Sequence, residues 1–211
     1  MRMPLIKRIF DLGLSSIGLV ISAWVWAIIT ILIILEDGFP FVIYQLRIGK
    51  QGRLFKSFKF RSMKRWALEE EVCAQALEDD PRVTGVGRIL RKTALDELPQ
   101  LLNILQGDMS FVGPRPILPF EVEVMANGGC VDIKKIPGYD KRIQIIPGLT
   151  GIAQLYAPRD ITREEKFKMD IEYIKKHNFL LDVKLIFLSF IVTLLGNWEH
   201  RGEKLKILGN K

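Results

Sequence analysis

Twenty-four consecutive uncharged residues, Leu12 to Leu35, constrain this chain more than any other stretch. As a helix the run reaches roughly 36 Å at about 1.5 Å per residue, enough to cross a hydrocarbon core of ~30 Å. It is too long for the apolar core of a signal peptide, and no small-residue cleavage site with a polar start follows it. One spanning helix is the plain reading. The flanks oppose it. Arg2, Lys7 and Arg8 precede the run; Arg47, Lys50, Arg53, Lys56, Lys59, Arg61, Lys64 and Arg65 follow it. Positive charge marks the cytoplasmic side. A segment that enters the bilayer and returns to the same face satisfies both flanks. A break near Ser22 gives arms of about 11 and 13 residues, each reaching about mid-core. The Ser22 hydroxyl then serves a freed backbone group, and Gly18 adds local freedom.

Charge is placed as unevenly as hydropathy. Residues 1–65 hold 11 Lys/Arg against 3 Asp/Glu, and the remainder holds 20 against 21. The basic excess beside an apolar run suits anionic lipid headgroups or phosphates. No helix-turn-helix, zinc-finger or RNA-binding aromatic pattern is present, so nucleic acid is not an expected partner. Cys73 and Cys130 are the only cysteines, and His177 and His200 are isolated. Neither a disulfide framework nor a zinc site follows, and a reduced, cytosol-facing domain does.

The chemistry concentrates between Arg91 and Pro116, RKTALDELPQLLNILQGDMSFVGPRP. Asp96 and Glu97 stand just ahead of Pro99, which is tolerated in a first helical turn. Leu98, Leu101, Leu102 and Leu105 follow at helical spacing, and Gly107 offers a stop. The carboxylates therefore fall at a helix N-terminus, where the dipole favours negative charge. Asp96 is expected to stay ionised at neutral pH, free to act as a nucleophile. Adjacent helical residues face different ways, so the pair suits two jobs better than one shared proton. Pro114 and Pro116 stiffen the turn around Arg115, whose planar fork matches phosphate oxygens. Taken singly, each feature has a blander reading. First-turn acids usually complement the dipole, Pro-Arg-Pro is usually a turn, and Asp170 alone reads as a solvated helix carboxylate.

The remaining pattern is coarser. Phe41–Tyr44 reads as a short strand and Leu54–Phe60 as a half-buried strand or an interfacial segment, with Arg47–Gly52 a basic turn between them. Residues 64–79 read as a charged helix ended at Asp80-Pro81, and Arg88–Arg91 as a short helix. Residues 117–146 are expected to be irregular and without chemistry. Gly148, Thr150 and Gly151 in PGLTG could turn backbone N–H groups toward an anion, with IAQLY after them as a strand. Residues 163–177 read as a charged helix. Residues 179–198 read as an interfacial or core helix with Trp198 at a membrane boundary. A polar tail follows from 199.

Set in order, KRIFDL at 7–12, KFRSM at 59–63, DPRVTGVGRILRKTALDELPQL at 80–101, GDMSFVGPRP at 107–116, PGLTGIAQL at 147–155 and FKMDIEYIKKHNFLLDVKLIF at 167–187 resemble the bacterial sugar transferases, the monotopic phosphoglycosyl transferase family in its minimal form. The resemblance covers nearly the whole chain. It implies a mixed α/β, mainly helical fold: a re-entrant membrane helix over 1–36, a small cytosolic catalytic domain over 37–198 with interfacial amphipathic helices, and the tail 199–211. It implies transfer of a sugar phosphate from a UDP-sugar to undecaprenyl phosphate with release of UMP, at the cytoplasmic face of a bacterial inner membrane, as the first membrane step of glycoconjugate biosynthesis. It implies Asp96 as the nucleophile that becomes covalently phosphorylated, Glu97 as a Mg²⁺ ligand, and Arg115 as a phosphate holder between Pro114 and Pro116. Lys59, Arg91, Arg159 and Asp170 match polar site positions, and Gly148, Thr150 and Gly151 match the nucleotide end. Membrane lipids are expected partners; homo-oligomerisation is left open. The chain departs from the family pattern at Ala23, where proline normally follows the serine, at Ile152 in place of tryptophan, and at Ala157-Pro158-Arg159 in place of Asn-Gly-Arg. Two other classes compete. A single-span lipid- or partner-binding protein accounts for the run and the charge but not for the motifs. A lipid-phosphate hydrolase would use Asp96 alike but pass the phosphoryl group to water.

Overall fold

A helix whose residues are apolar on every side has one face to pack and one left over, and α1 (Leu5–Asp37) shows both. The computed structural model describes residues 4–68, 80–124, 129–158 and 161–195. The inner face of α1 buries Asp11, Ser15, Ile29 and Ile33. Between them Gly18 lies against Leu101, and Trp26 packs edge-on to Phe60 with ring centroids 5.0 Å apart. The outer face leaves Ile17, Val20, Ile21, Trp24, Ile28, Ile31 and Leu35 between 48% and 78% exposed. An apolar stripe of that length marks a membrane or partner surface. α1 is long and apolar enough to cross a membrane. The interruption expected near Ser22 is not present. Helical structure is continuous through it, and the Ser22 hydroxyl donates to the Leu19 carbonyl at 3.5 Å, so without proline no i→i−4 bond need be lost there.

Both ends of α1 are tied to the same body. Arg8 donates to the carbonyls of Ile104 (2.6 Å) and Leu105 (2.9 Å), the open end of α3 (Gln100–Gln106). Glu36 accepts from the N–H groups of Gly85 (2.6 Å) and Val86 (2.9 Å), which open α2 (Gly85–Thr93). Each contact places charge of the favourable sign on a helix end.

Strands β1 (Val42–Ile48) and β2 (Leu54–Phe60) form an antiparallel hairpin with Gln45 opposite Ser57 and Ile43 opposite Lys59. β1 is longer than the sequence pattern indicates, so Arg47 lies in the strand and the turn begins after it. Buried Asn103 of α3 staples the hairpin, accepting from Phe58 N–H (3.0 Å) and donating to the Lys56 carbonyl (2.7 Å). Gly107 ends α3 in the left-handed region (φ 94°), as its sequence position indicates. β3 (Ser110–Val112) then enters the core and pairs in parallel with β6 (Gly148–Thr150).

The stretch between those strands is not irregular. It holds β4 (Val122–Val124) paired with β5 (Cys130–Asp132) and a short helix, α4 (Tyr139–Arg142). IAQLY is helix α5 (Ile152–Tyr156) rather than strand; its apolar run was too short for periodicity to separate the two. α6 (Arg163–Lys176) starts with a Thr162/Glu165 capping box and buries Phe167, Asp170 and Tyr173. α7 (Phe179–Leu194) buries Asp182, Leu185 and Val192 and exposes Leu180, Phe187, Phe190 and Leu194. The main core gathers Leu101, Ile104, Met109, Phe111, Val112, Leu155 and Leu185 around β3. The expected charged helix at 64–79 opens as a 3₁₀ turn, Arg65–Leu68. Its remainder, Trp198 and the tail lie outside the described residues. The fold is mixed α/β and mostly helical, with one long apolar helix at its N-terminal end.

Candidate active site

The carboxylate pair sits in a forced turn. Thr84 caps α2 by accepting from Gly87 N–H at 2.8 Å. Gly87 lies so close to Ser62 that a Cβ would stand 2.0 Å from its carbonyl oxygen, so α2 is pressed onto the KFRSM backbone. α2 ends at Ala94, left-handed at φ 56°, ψ 18°, an unusual place for a side chain. One 3₁₀ turn, Leu95–Glu97, reverses the chain into Pro99 and α3. Asp96 and Glu97 thus precede α3 instead of occupying its first turn.

Burial therefore outweighs the helix dipole at Asp96. The residue is 8% exposed, and its side chain accepts no hydrogen bond among the described residues. Burial pushes its carboxyl up from the usual range. Lys59, with Nζ 4.0 Å away, pulls it back, and the Glu97 charge pushes it up again. Glu97 has the opposite fate. Burial would raise it, but Arg115 and Lys59 together hold it well below the usual carboxylate range. Lys59 Nζ donates to Oε1 at 2.8 Å; the Arg115 guanidinium donates to Oε1 at 2.5 Å and Oε2 at 3.3 Å. Two neighbouring acids are thus driven apart in acidity, the usual mark of divided roles.

Arg115 is held through its backbone. Gly148 N–H donates to the Pro114 carbonyl (2.9 Å), and Gly113 N–H to the Thr150 carbonyl (2.9 Å). A Cβ on Gly148 would meet Gly113 N at 2.0 Å, and one on Gly151 would meet the Gly113 oxygen at 2.5 Å. Gln154 reinforces the clasp, donating to the Gly113 carbonyl at 3.2 Å. The Gly148 N–H is committed to Pro114 and the Thr150 carbonyl to Gly113, so Gly148, Thr150 and Gly151 adjoin the turn that carries Arg115.

Asp170 is likewise one layer back. It is 3% exposed and accepts from Arg142 Nε (3.1 Å) and a terminal guanidinium nitrogen (3.0 Å). That same nitrogen donates to the Arg115 carbonyl at 2.7 Å, and the guanidinium stacks over the Phe167 ring at 4.4 Å. Arg142 was not foreseen. It falls in the stretch read as irregular, and only the spacing of Tyr139 and Arg142 hinted at a helical turn. Arg91 donates from Nε to Ser62 Oγ at 2.9 Å and is one of the cations that lower Asp96. Arg159 lies outside the described residues.

Magnesium can be weighed against these donors. Among the described residues no three metal-ligating side chains cluster. A hard cation that keeps phosphate and water ligands needs only one or two carboxylates. Glu97 supplies hard oxygens, and among the described residues its Oε2 accepts only the 3.3 Å contact from Arg115. The donor set fits Mg²⁺ at Glu97.

A carboxylate pair ringed by Lys59, Arg91 and Arg115, packed against the middle of α1, is a candidate site for phosphate chemistry. The chain belongs to the bacterial sugar transferase family, whose model matches residues 2–196. It is 38% identical over 201 residues to the galactosyl transferase CpsE of Streptococcus agalactiae, covering 90% of this chain and 42% of the relative. It is 38% identical over 191 residues to the UDP-glucose:undecaprenyl-phosphate glucose-1-phosphate transferase of Escherichia coli, covering 88% and 39%. It is 37% identical over 190 residues to the uncharacterized sugar transferase EpsL of Bacillus subtilis, covering 88% and 85%. The chain thus spans about two fifths of the first two relatives and most of the third.

Proposed function

We propose that this protein transfers a sugar 1-phosphate from a UDP-sugar to undecaprenyl phosphate, releasing UMP. The names of its relatives, a UDP-glucose:undecaprenyl-phosphate transferase among them, support the substrates. The observation that carries the chemistry is Asp96: a buried carboxylate with no hydrogen bond among the described residues, beside a partner that accepts hydrogen bonds from both Lys59 and Arg115. An ionised Asp96 oxygen attacks the sugar-bearing phosphorus. The phosphoanhydride bond breaks, and UMP leaves with its electron pair. A phosphate oxygen of the lipid then attacks the same phosphorus, and the bond to Asp96 breaks, restoring the carboxylate. Lys59 and Arg115 neutralise charge as the phosphoryl group moves, since such transfer rests on positioning and electrostatics. Mg²⁺ held by Glu97 would neutralise the diphosphate of the bound nucleotide sugar.

The same reading places both ends of α1 on the cytoplasmic face of a bacterial inner membrane, with its apolar stripe and that of α7 turned to lipid. A separate single-span anchor would not need Lys7, Arg8 and Glu36 all bonded to one body. The test is incubation with labelled UDP-sugar in the absence of lipid. Label should remain on Asp96 and discharge on adding undecaprenyl phosphate. Discharge to water at the same rate without lipid would make the protein a hydrolase instead.

A further inference from the structure

The inner face of the β1–β2 hairpin carries more polar groups than the carboxylate pair employs. Arg47, Ser57 and Lys59 share that face by register, and with Gln100, Arg115 and Pro116 they line one recess. Ser57 is fully buried, and its hydroxyl has no hydrogen-bond partner among the described residues. Gln100, 3% exposed, makes no side-chain hydrogen bond among the described residues. Arg47 donates to the Pro116 carbonyl (3.1 Å) and to Gln45 Oε1 (2.8 Å), but among the described residues no carboxylate pairs with it. Burial and the nearby Arg115 pull its guanidinium down to about 10, still charged at neutral pH. The neighbouring acids are committed elsewhere: Glu97 to Lys59 and Arg115, Glu121 to Arg163 and the Leu118 N–H.

A half-buried guanidinium with no carboxylate partner among the described residues shares one recess with a buried, unsatisfied hydroxyl, which is costly as it stands. The recess is small, about 10 Å³, so it admits one oxygen of a tetrahedral anion rather than the whole ion. We propose that Arg47, Ser57 and Gln100 form a phosphate-monoester subsite next to the Asp96–Glu97 pair. Arg47 meets the anion with its fork, Ser57 donates its hydroxyl, and Gln100 donates its amide. Resting on the proposed function, the anion has two sources: the UMP that departs or the phosphate of the lipid acceptor. In either case the subsite stabilises charge beside the transferring phosphorus without touching it.

The experiment uses the full chain in detergent micelles, with UMP and inorganic phosphate as calorimetric probes and undecaprenyl phosphate as varied substrate. Ser57→Ala removes only the orphan hydroxyl, so its melting temperature should match or exceed the parent's. A lost hydrogen bond to a charged ligand corresponds to a weakening of about tenfold. Arg47→Lys keeps the charge, loses the fork and should weaken the same ligand further. If UMP and phosphate affinity fall while KM for the lipid holds, the subsite takes the leaving group. If KM for the lipid rises while UMP affinity holds, it takes the acceptor. Unchanged UMP affinity, phosphate affinity and lipid KM in a folded Ser57→Ala chain overturn the subsite. A parent chain that binds phosphate, with Ser57→Ala weakening it, but releases no UMP from any UDP-sugar supports the subsite and overturns the proposed function alone.

Discussion

Two adjacent side chains in one turn should move stability in opposite directions. Burial raises the folded-state pKa of Asp96, so its stabilising contribution is present below its unfolded value and lost as pH rises through the folded one. Above that unfolded value, keeping this carboxyl buried is a burden on the fold. Asp96→Asn should therefore melt at or above the parent temperature at pH 7, with the difference narrowing on acidification. Turnover should fall by about 10⁴-fold or more, as when a nucleophile is removed. Glu97 is depressed, so its contribution is present above the unfolded value and lost as pH falls through the folded one. Glu97→Gln should cost about 1–3 kcal/mol at pH 7, because Lys59 and Arg115 lose their partner and the exposure of Arg115 screens part of the effect. It should also remove the response of the rate to added Mg²⁺. Thermal melts of both variants across pH 4–8 decide it. If both variants are destabilised alike, the two acids do not have divided roles. Arg115→Lys should cut the rate about 10–100-fold although the charge remains, because the bidentate grip is lost.

At the level of elements, the site is a loop held from below. The strut Asp170–Arg142–Arg115 and the glycine clasp between β3 and β6 fix one turn from two sides. Asp170→Asn leaves Arg142 buried and unpaired, which should cost about 3–5 kcal/mol. In the fraction that stays folded the rate should drop while KM for the UDP-sugar changes little, since both residues are buried and paired with each other. An equal rise in KM would place Asp170 in the binding site itself. What was legible in the sequence divides along the same line. Asp96, Glu97, Lys59 and Arg115 could be read because local chemistry and motif spacing announce them, and Gly107 because a helix end wants φ > 0. Arg142 could not. Its meaning comes from α4 packing on α6, a contact across 28 residues that no periodicity encodes. Gly148 and Gly151 read in sequence as able to face an anion, and their closeness to Gly113 is not legible there, since a glycine that clears space for a neighbouring strand looks like one that clears space for an anion. IAQLY failed for a related reason, its five residues being too few to show a period.

For the whole molecule, the question is how a continuous helix of 33 residues meets a membrane. Standing upright it would span roughly 50 Å, with its two ends in separate aqueous phases. The contacts oppose that. Lys7 donates to Asp182 at 2.5 Å and to the Val112 carbonyl at 3.0 Å, Arg8 holds the end of α3, and Glu36 holds the start of α2. All of these belong to one packed body, and Lys7 touches the strand that leads into the Arg115 turn. An upright helix would require that polar body to cross the bilayer with it, leaving its polar backbone without water. Lying with its outer stripe in lipid and its inner face on the body, α1 satisfies both the apolar exposure and the basic flanks. With Cys73 and Cys130 replaced, single cysteines at Pro4 and Arg53 should then both react with an impermeant thiol reagent only from the cytoplasmic side. Labelling of position 4 from the outer side would mean that the helix spans, and that Lys7 and Arg8 do not keep these partners in the membrane.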